Sequence, residues 1–122
     1  MAKEHRILIV DDHPINILLM EELLDDAYEV ATATSGEEAM TLAADFVPDL
    51  ILLDVMMPGI DGYETCRRLR AAPGLGPTKI IFVSAKSRSE DLAQGYAAGA
   101  DDYITKPFEN GNLLRKVNDS FA

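Results

Sequence analysis

A single cysteine, Cys66, is all the thiol the chain contains, so no intrachain disulfide can form. It falls in a helical stretch and reads as a small buried apolar residue in a reducing compartment. Basic residues are also scarce, with 11 Lys and Arg against 21 Asp and Glu and a formal charge of −10. That balance opposes the counterion release by which basic proteins hold nucleic acid, so direct DNA or RNA binding is not expected. Long apolar runs are missing as well. The charged stretch from Met1 to Arg6 leads into only four apolar residues, Ile7 to Val10, too few for a secretory signal or a membrane span. A cytoplasmic protein with no membrane partner is the expectation.

The motifs of nucleotide binding are absent too. The one Gly-x-Gly, Gly74-Leu75-Gly76, precedes a strand and runs into Pro77, whereas a dinucleotide fingerprint follows a strand and opens a helix; no Walker lysine motif exists. What remains is 122 residues with 48% hydrophobic content, the size and apolar share of one compact domain. Residues 1–122 are expected to form that one domain, with no internal repeat and no low-complexity segment.

Short aliphatic runs alternate with segments of helical spacing, the pattern of βα units around a parallel sheet. Strands are predicted at Arg6 to Val10, Tyr28 to Ala33, Leu50 to Leu53, Lys79 to Val83 and Tyr103 to Thr105. Pro14 suits a first helical position, and Ile15, Leu18, Leu19 and Leu23 repeat on one face of a helix running to about Asp25. Ser35 with Glu38, Asp61 with Glu64 and Ser87 with Glu90 each have capping-box spacing and predict three more helix starts. The fourth helix should stop near Ala98 because Gly99 can turn left-handed. A fifth is read from Leu113, Leu114, Val117 and Phe121, with an opening weakened by Gly111. The expected fold is α/β, a doubly wound five-stranded parallel sheet flanked by five helices, whose ligands bind beyond the carboxyl ends of the strands.

At that edge the sequence concentrates its chemistry. Asp11 and Asp12 end the first strand, Asp54 the third and Ser84 the fourth, and Lys106 follows the fifth. Any one of them alone reads equally as a strand running out into solvent; jointly they do not. Three carboxylates brought close raise one another's pKa unless a cation neutralises them, which points to a hard, oxygen-loving ion, Mg²⁺ with Mn²⁺ as an alternative. His13 beside the acidic pair is no zinc signature and reads as a water-exposed residue at a helix start. With a metal shielding it, an aspartate can attack phosphorus and form an acyl phosphate. Lys106 and the Ser84 hydroxyl can then hold the phosphoryl oxygens.

These residues lie in four stretches: Ile7-Leu8-Ile9-Val10-Asp11-Asp12, then Leu52-Leu53-Asp54-Val55-Met56-Met57-Pro58-Gly59-Ile60-Asp61-Gly62, then Val83-Ser84-Ala85, then Gly99-Ala100-Asp101-Asp102-Tyr103-Ile104-Thr105-Lys106-Pro107-Phe108. In that order the chain resembles the response-regulator receiver family over essentially its whole length. The resemblance implies a flavodoxin-like sheet of order 2-1-3-4-5, with Asp54 as phosphoacceptor and Lys106 paired with the phosphoryl group. It implies Asp12 as a direct Mg²⁺ ligand, Asp11 acting through water, and Asp54 and the Met56 backbone carbonyl completing the set. Ser84 stands where the family often carries threonine, Ala85 leaves space beside the phosphate, and Tyr103 matches the aromatic switch residue, which otherwise reads as an ordinary strand aromatic. Lys106-Pro107 resembles the family's cis peptide.

Implied partners are a sensor histidine kinase or a histidine phosphotransfer protein upstream and an effector domain or protein downstream. A phosphorylation-dependent dimer is among the assemblies that the resemblance allows. Such a chain catalyses its own phosphorylation and dephosphorylation but serves mainly as a switch, read out on the surface of the fourth helix, fifth strand and fifth helix. Leu92 and Tyr96, four residues apart, are candidates for that surface or for the core behind it. An aspartate-nucleophile phosphatase is disfavoured because Met56 stands where that family carries a second aspartate. An interaction module of the same fold that works without phosphorylation is the other alternative.

Overall fold

The computed structural model describes residues 3–122; Met1 and Ala2, at the head of the charged N-terminal stretch, lie outside the described residues. Its elements run β1 (Arg6–Val10), α1 (Pro14–Leu24), β2 (Glu29–Ala33), α2 (Gly36–Phe46), β3 (Leu50–Leu53), α3 (Gly62–Ala71), β4 (Lys79–Ser84), α4 (Ser89–Ala97), β5 (Asp102–Thr105) and α5 (Asn110–Asp119). The sheet order is β2-β1-β3-β4-β5 with every pair parallel, the doubly wound order expected from the sequence.

Side-chain alternation along the strands splits the core into two layers. Leu8, Val10, Ile51, Leu53, Ile80 and Phe82 pack with residues of α2 and α3, including Ala39, Ala43, Cys66 and Leu69. Ile7, Ile9, Leu50, Leu52, Ile81 and Val83 pack on the other face with Ile17, Met20 and Leu24 of α1 and Leu113 and Val117 of α5. Each such side chain contributes roughly 1.5–3 kcal/mol relative to exposure, so the central strands are a stiff base for whatever follows them. Val10 lies opposite Leu53, Leu53 opposite Phe82 and Phe82 opposite Tyr103, a single row across four strands. Asp11 and Asp54 come directly after that row.

Helix α1 corrects the sequence reading. Ile17, Met20 and Leu24 are its buried face, while Ile15, Leu18 and Leu19 are 72%, 54% and 54% exposed and Leu23 is half-buried. Both stripes have helical spacing, so periodicity could not choose between them; contact with the sheet and α5 does. The start of α4 is a second correction. Arg88, not Ser87, is the N-cap, and the Asp91 carboxylate rather than Glu90 accepts the Arg88 backbone N–H at 3.1 Å.

The caps of α2 and α3 stand where expected but are one-sided. Ser35 Oγ accepts from Glu38 N at 3.1 Å, and Asp61 Oδ1 accepts from Glu64 N at 2.9 Å. Glu38 returns its bond to Thr34 N rather than to the cap, and Glu64 turns to Arg67 and Arg68. Gly99, at φ 112°, ends α4 as anticipated. Helix α5 stops at Asp119, so Phe121 lies beyond it, stacked on His5 at 4.0 Å between ring centroids. Among the described residues no helix is long and apolar enough to cross a membrane.

Candidate functional site

Backbone bonds carry the ladder one step past the strands and so fix the groups at their ends. Asp11 N donates to Ala33 O at 3.1 Å, Asp54 N to Val10 O at 3.0 Å, and Lys106 N to Ser84 O at 2.8 Å. Asp11, Asp54 and Ser84 are among the few buried polar side chains, at 1%, 5% and 0% exposure. Hydrophobic neighbours would not leave such groups buried unless each had a partner or a purpose.

Asp11 is fully engaged. Its Oδ2 accepts from the Lys106 ammonium at 2.8 Å, and its Oδ1 accepts from the His13 backbone N–H at 2.9 Å. Asp54 Oδ2 lies 3.7 Å from the same ammonium, within ion-pair range but beyond a hydrogen bond. Burial pushes the Asp54 carboxyl above its ordinary value, Lys106 pulls it back, and the Asp11 charge raises it further; the Met56 and Val55 backbone amides favour the ionised form. One ammonium faces two buried carboxylates, and it is bonded to the one that is not placed at the end of β3.

Donor atoms of Asp11, Asp12, His13 and Asp54 all lie within 4.8 Å of one another. Asp12 Oδ1 is buried with no hydrogen bond, although His13 Nδ1 stands 3.0 Å away out of line for one. An orphaned carboxylate oxygen beside two further carboxylates is a cost that a hard cation removes, so the residues fit Mg²⁺, whose ligands are carboxylate, carbonyl and water oxygens. Met56 follows in the loop after β3. Its side chain is exposed, and it lines the same pocket as Asp12, His13, Met57 and Lys86.

The structure thus gathers Asp11, Asp12, Asp54 and Lys106 at one edge, with Ser84 tied to Lys106 through the backbone. Ser84 Oγ accepts from Lys86 N at 3.2 Å, and Ala85 beside it is exposed. The Tyr103 ring is buried against Phe82, and its hydroxyl donates to Lys86 O at 2.8 Å, so it reaches the same loop as Ser84. Leu92 packs on the core and Tyr96 is 47% exposed, which divides the pair between the two roles considered for it. The Lys106-Pro107 bond is cis. Cys66 is fully buried, which pushes its thiol up to about 11 and leaves it inert.

One residue and one side-chain direction escaped the sequence reading. Tyr63, on α3, donates its hydroxyl to Asp91 O at 3.1 Å and so ties α3 to the first turn of α4; helical spacing marks it only as a core residue. His13 is exposed as expected, yet its ring turns back over both aspartates, with Nδ1 3.3 Å from Asp11 Oδ1. Adjacency to the acidic pair was the one available signal.

The Response regulator receiver domain family profile matches residues 7–118. The response regulator PleD of Caulobacter vibrioides is 42% identical over 113 residues, which cover 92% of this chain and 25% of PleD. The alkaline phosphatase synthesis transcriptional regulatory protein PhoP of Bacillus subtilis is 44% identical, over 92% of this chain and 46% of PhoP. The chain therefore spans from a quarter to about half the length of these curated relatives. Among solved structures, the chemotaxis protein CheY4 of Vibrio cholerae superposes with a TM-score of 0.90 at 32% identity, covering 95% of this chain and 98% of that one.

Proposed function

This chain belongs to the response regulator receiver domain family, and on that premise we propose that it accepts a phosphoryl group on Asp54 from a phosphohistidine of a sensor histidine kinase or histidine phosphotransfer protein. The observation that carries this reading is the meeting of Asp11, Asp12 and Asp54 beside the Lys106 ammonium, with one carboxylate oxygen left unbonded. Residues 1–122 are read as one cytoplasmic receiver domain.

Asp12, Asp54 and the Met56 carbonyl are the direct ligands in this reading, with Asp11 acting through water. The ion, Mg²⁺ or Mn²⁺, supplies positive charge that offsets carboxylate repulsion toward an incoming phosphoryl group. An Asp54 carboxylate oxygen attacks phosphorus, the P–N bond to the donor imidazole breaks, and the leaving imidazole takes up the proton it needs from water. Lys106 and the Ser84 hydroxyl hold the phosphoryl oxygens. The added charge of roughly −1.5 to −2 draws both groups toward Asp54. Because Ser84 and Tyr103 both bond to Lys86, that movement is transmitted to the loop before α4. The surface of α4, β5 and α5 is the output face toward an effector domain or protein, and a phosphorylation-dependent dimer would form there. A near-complete switch requires about 5.5 kcal/mol of differential stabilisation.

The donor protein has a surface suited to it. Ile15, Leu18 and Leu19 leave an exposed apolar stripe on α1, and a groove lined by Leu19, Leu23, Ala85, Pro107 and Phe108 runs from it to Lys106. Docking there would bring a phosphohistidine to the carboxylate edge.

The test is incubation with Mg²⁺ and acetyl phosphate or phosphoramidate, followed by intact mass. One phosphoryl group is expected on the native chain and none on Asp54→Asn. Absence of any gain in the native chain, under conditions that label another receiver, would favour the interaction module that works without phosphorylation.

A further inference from the structure

We propose that the Tyr63 hydroxyl is a restraint on the switch: it holds the first turn of α4 to α3 in the unphosphorylated chain and is released when Asp54 is phosphorylated. The inference rests on the phosphorylation of Asp54 proposed above and names a positioning residue that sets how readily the switch responds.

Tyr63 is anchored to the acceptor. Gly62 N donates to Val55 O at 2.8 Å, and a Cβ on Gly62 would stand 2.1 Å from Asp54 O, so the start of α3 lies in backbone contact with the acceptor residue. The Tyr63 ring, 4% exposed, packs edge-on against Phe82 at 5.4 Å between centroids, and Phe82 lies opposite Tyr103 in the sheet. Burial raises the Tyr63 phenol above its ordinary value and the neighbouring Tyr103 hydroxyl adds to the shift, so the group stays a donor at working pH.

Its acceptor is the Asp91 carbonyl, 3.1 Å away in the first turn of α4. That helix is lightly anchored, for Gly95 is its one buried residue and Leu92 is only partly buried. Its far end is held by Arg70 of α3, which donates to the Gly99 carbonyl at 2.8 Å and to Asp101 at 2.6 Å. Helix α4 is thus fixed at its C-terminal end by a charged side chain with several partners and at its first turn by one neutral hydroxyl bond, the weaker of the two.

The loop before α4 connects that first turn to the site. Ser84 Oγ accepts from Lys86 N, and the Tyr103 hydroxyl donates to Lys86 O. Drawing Ser84 toward a phosphoryl group on Asp54 pulls this loop and the first turn of α4 along. Tyr63, wedged against Phe82 and seated on the Asp54 backbone, stays, and its bond to Asp91 gives way. A bond lost on phosphorylation opposes phosphorylation by as much as it stabilises the resting state, so removing it tightens the binding of a phosphoryl mimic.

Titration of the native chain and Tyr63→Phe with beryllofluoride in the presence of Mg²⁺ tests this. The variant keeps the ring and loses only the hydroxyl; it should bind beryllofluoride about 2- to 10-fold more tightly while melting at a lower temperature. A merely structural role would not raise the affinity. Amide hydrogen exchange gives a second reading. The Leu92 N–H, bonded to Arg88 O at 3.1 Å, should exchange faster in the native chain once beryllofluoride binds, and as fast in Tyr63→Phe without it, while the Ala98 N–H at the far end is unchanged. Equal or weaker beryllofluoride binding by Tyr63→Phe, or Leu92 exchange that beryllofluoride leaves unaltered in the native chain, overturns this inference alone. Absence of binding to either protein overturns the Asp54 reading beneath it, and the inference with it.

Discussion

Lys106 and Asp11, 95 positions apart in the chain, are joined by a 2.8 Å bond that places the Lys106 ammonium on a carboxylate other than the proposed acceptor. Asp54 lies 3.7 Å from the same nitrogen, so a small movement transfers the lysine from one to the other. Lys106 neutralises Asp11 in this structure; in the proposed reaction a phosphoryl group on Asp54 would compete for it.

Lys106→Met should therefore leave the Asp11 carboxylate, 1% exposed, without its cation. Breaking a buried pair from one side costs about 3 kcal/mol or more. Urea unfolding in the presence of EDTA is expected to show that loss, with part of it recovered by saturating Mg²⁺. An unchanged urea midpoint in EDTA would contradict the pairing.

Asp54→Asn should act in the opposite direction. The folded pKa of Asp54 is raised, chiefly by burial, so the native state holds its proton more tightly than the unfolded chain does. The stability associated with the protonated carboxyl is present below the ordinary Asp value of about 3.9 and is lost as pH rises through the raised folded value. At pH 7 the ionised carboxylate is a burden that asparagine lacks. Without divalent ions the variant is expected to be the more stable protein at pH 7, with the advantage shrinking toward pH 4 in urea melts. A variant less stable than the native chain at pH 7 would run against that sign.

Glycines give a contrast in which packing and propensity decide separately. A Cβ on Gly62 would stand 2.1 Å from the Asp54 carbonyl oxygen and 2.7 Å from Val55 Cα, both backbone atoms that no rotamer can move. Gly62→Ala is expected to cost about 1–3 kcal/mol and to displace the acceptor loop. Gly111, in the first turn of α5, has no neighbour within 4 Å of such a Cβ, so Gly111→Ala should stabilise by about 0.5–1 kcal/mol. Thermal melts of the pair check both signs.

The strand ends were legible in the sequence because every strand but the second ends in or leads into a polar group, and parallel pairing in register aligns those ends. Asp11, Asp12, Asp54 and Lys106 therefore meet as their positions implied. Helix α1 was not legible. Its stripes Ile15, Leu18, Leu19 and Ile17, Met20, Leu24 have equivalent spacing, and only the docking of the helix on the sheet chooses between them. Ser87 misled for a related reason, since a cap is defined by backbone geometry and the Asp91 carboxylate reached Arg88 first. The roles of His13 and Tyr63 depend on side-chain direction, which residue spacing does not encode.

The exposed stripe on α1 yields a prediction about the donor protein. Replacing Ile15 and Leu18 together with glutamine removes apolar contact without touching a buried residue. Transfer from a cognate phosphohistidine donor should slow about tenfold, equivalent to about 1.4 kcal/mol, while labelling by acetyl phosphate is unaffected. Equal rates from both donors in the native chain and the double variant would remove α1 from the docking surface.

The central claim, that Asp54 is the residue that carries the phosphoryl group, is tested most directly by trapping the acyl phosphate. The labelled chain is reduced with borohydride, which converts an aspartyl phosphate to homoserine, and the digest is sequenced by mass spectrometry. Homoserine at position 54 alone is the predicted result; its appearance at position 11 or 12, or a label retained on His13 with position 54 unchanged, would contradict the account.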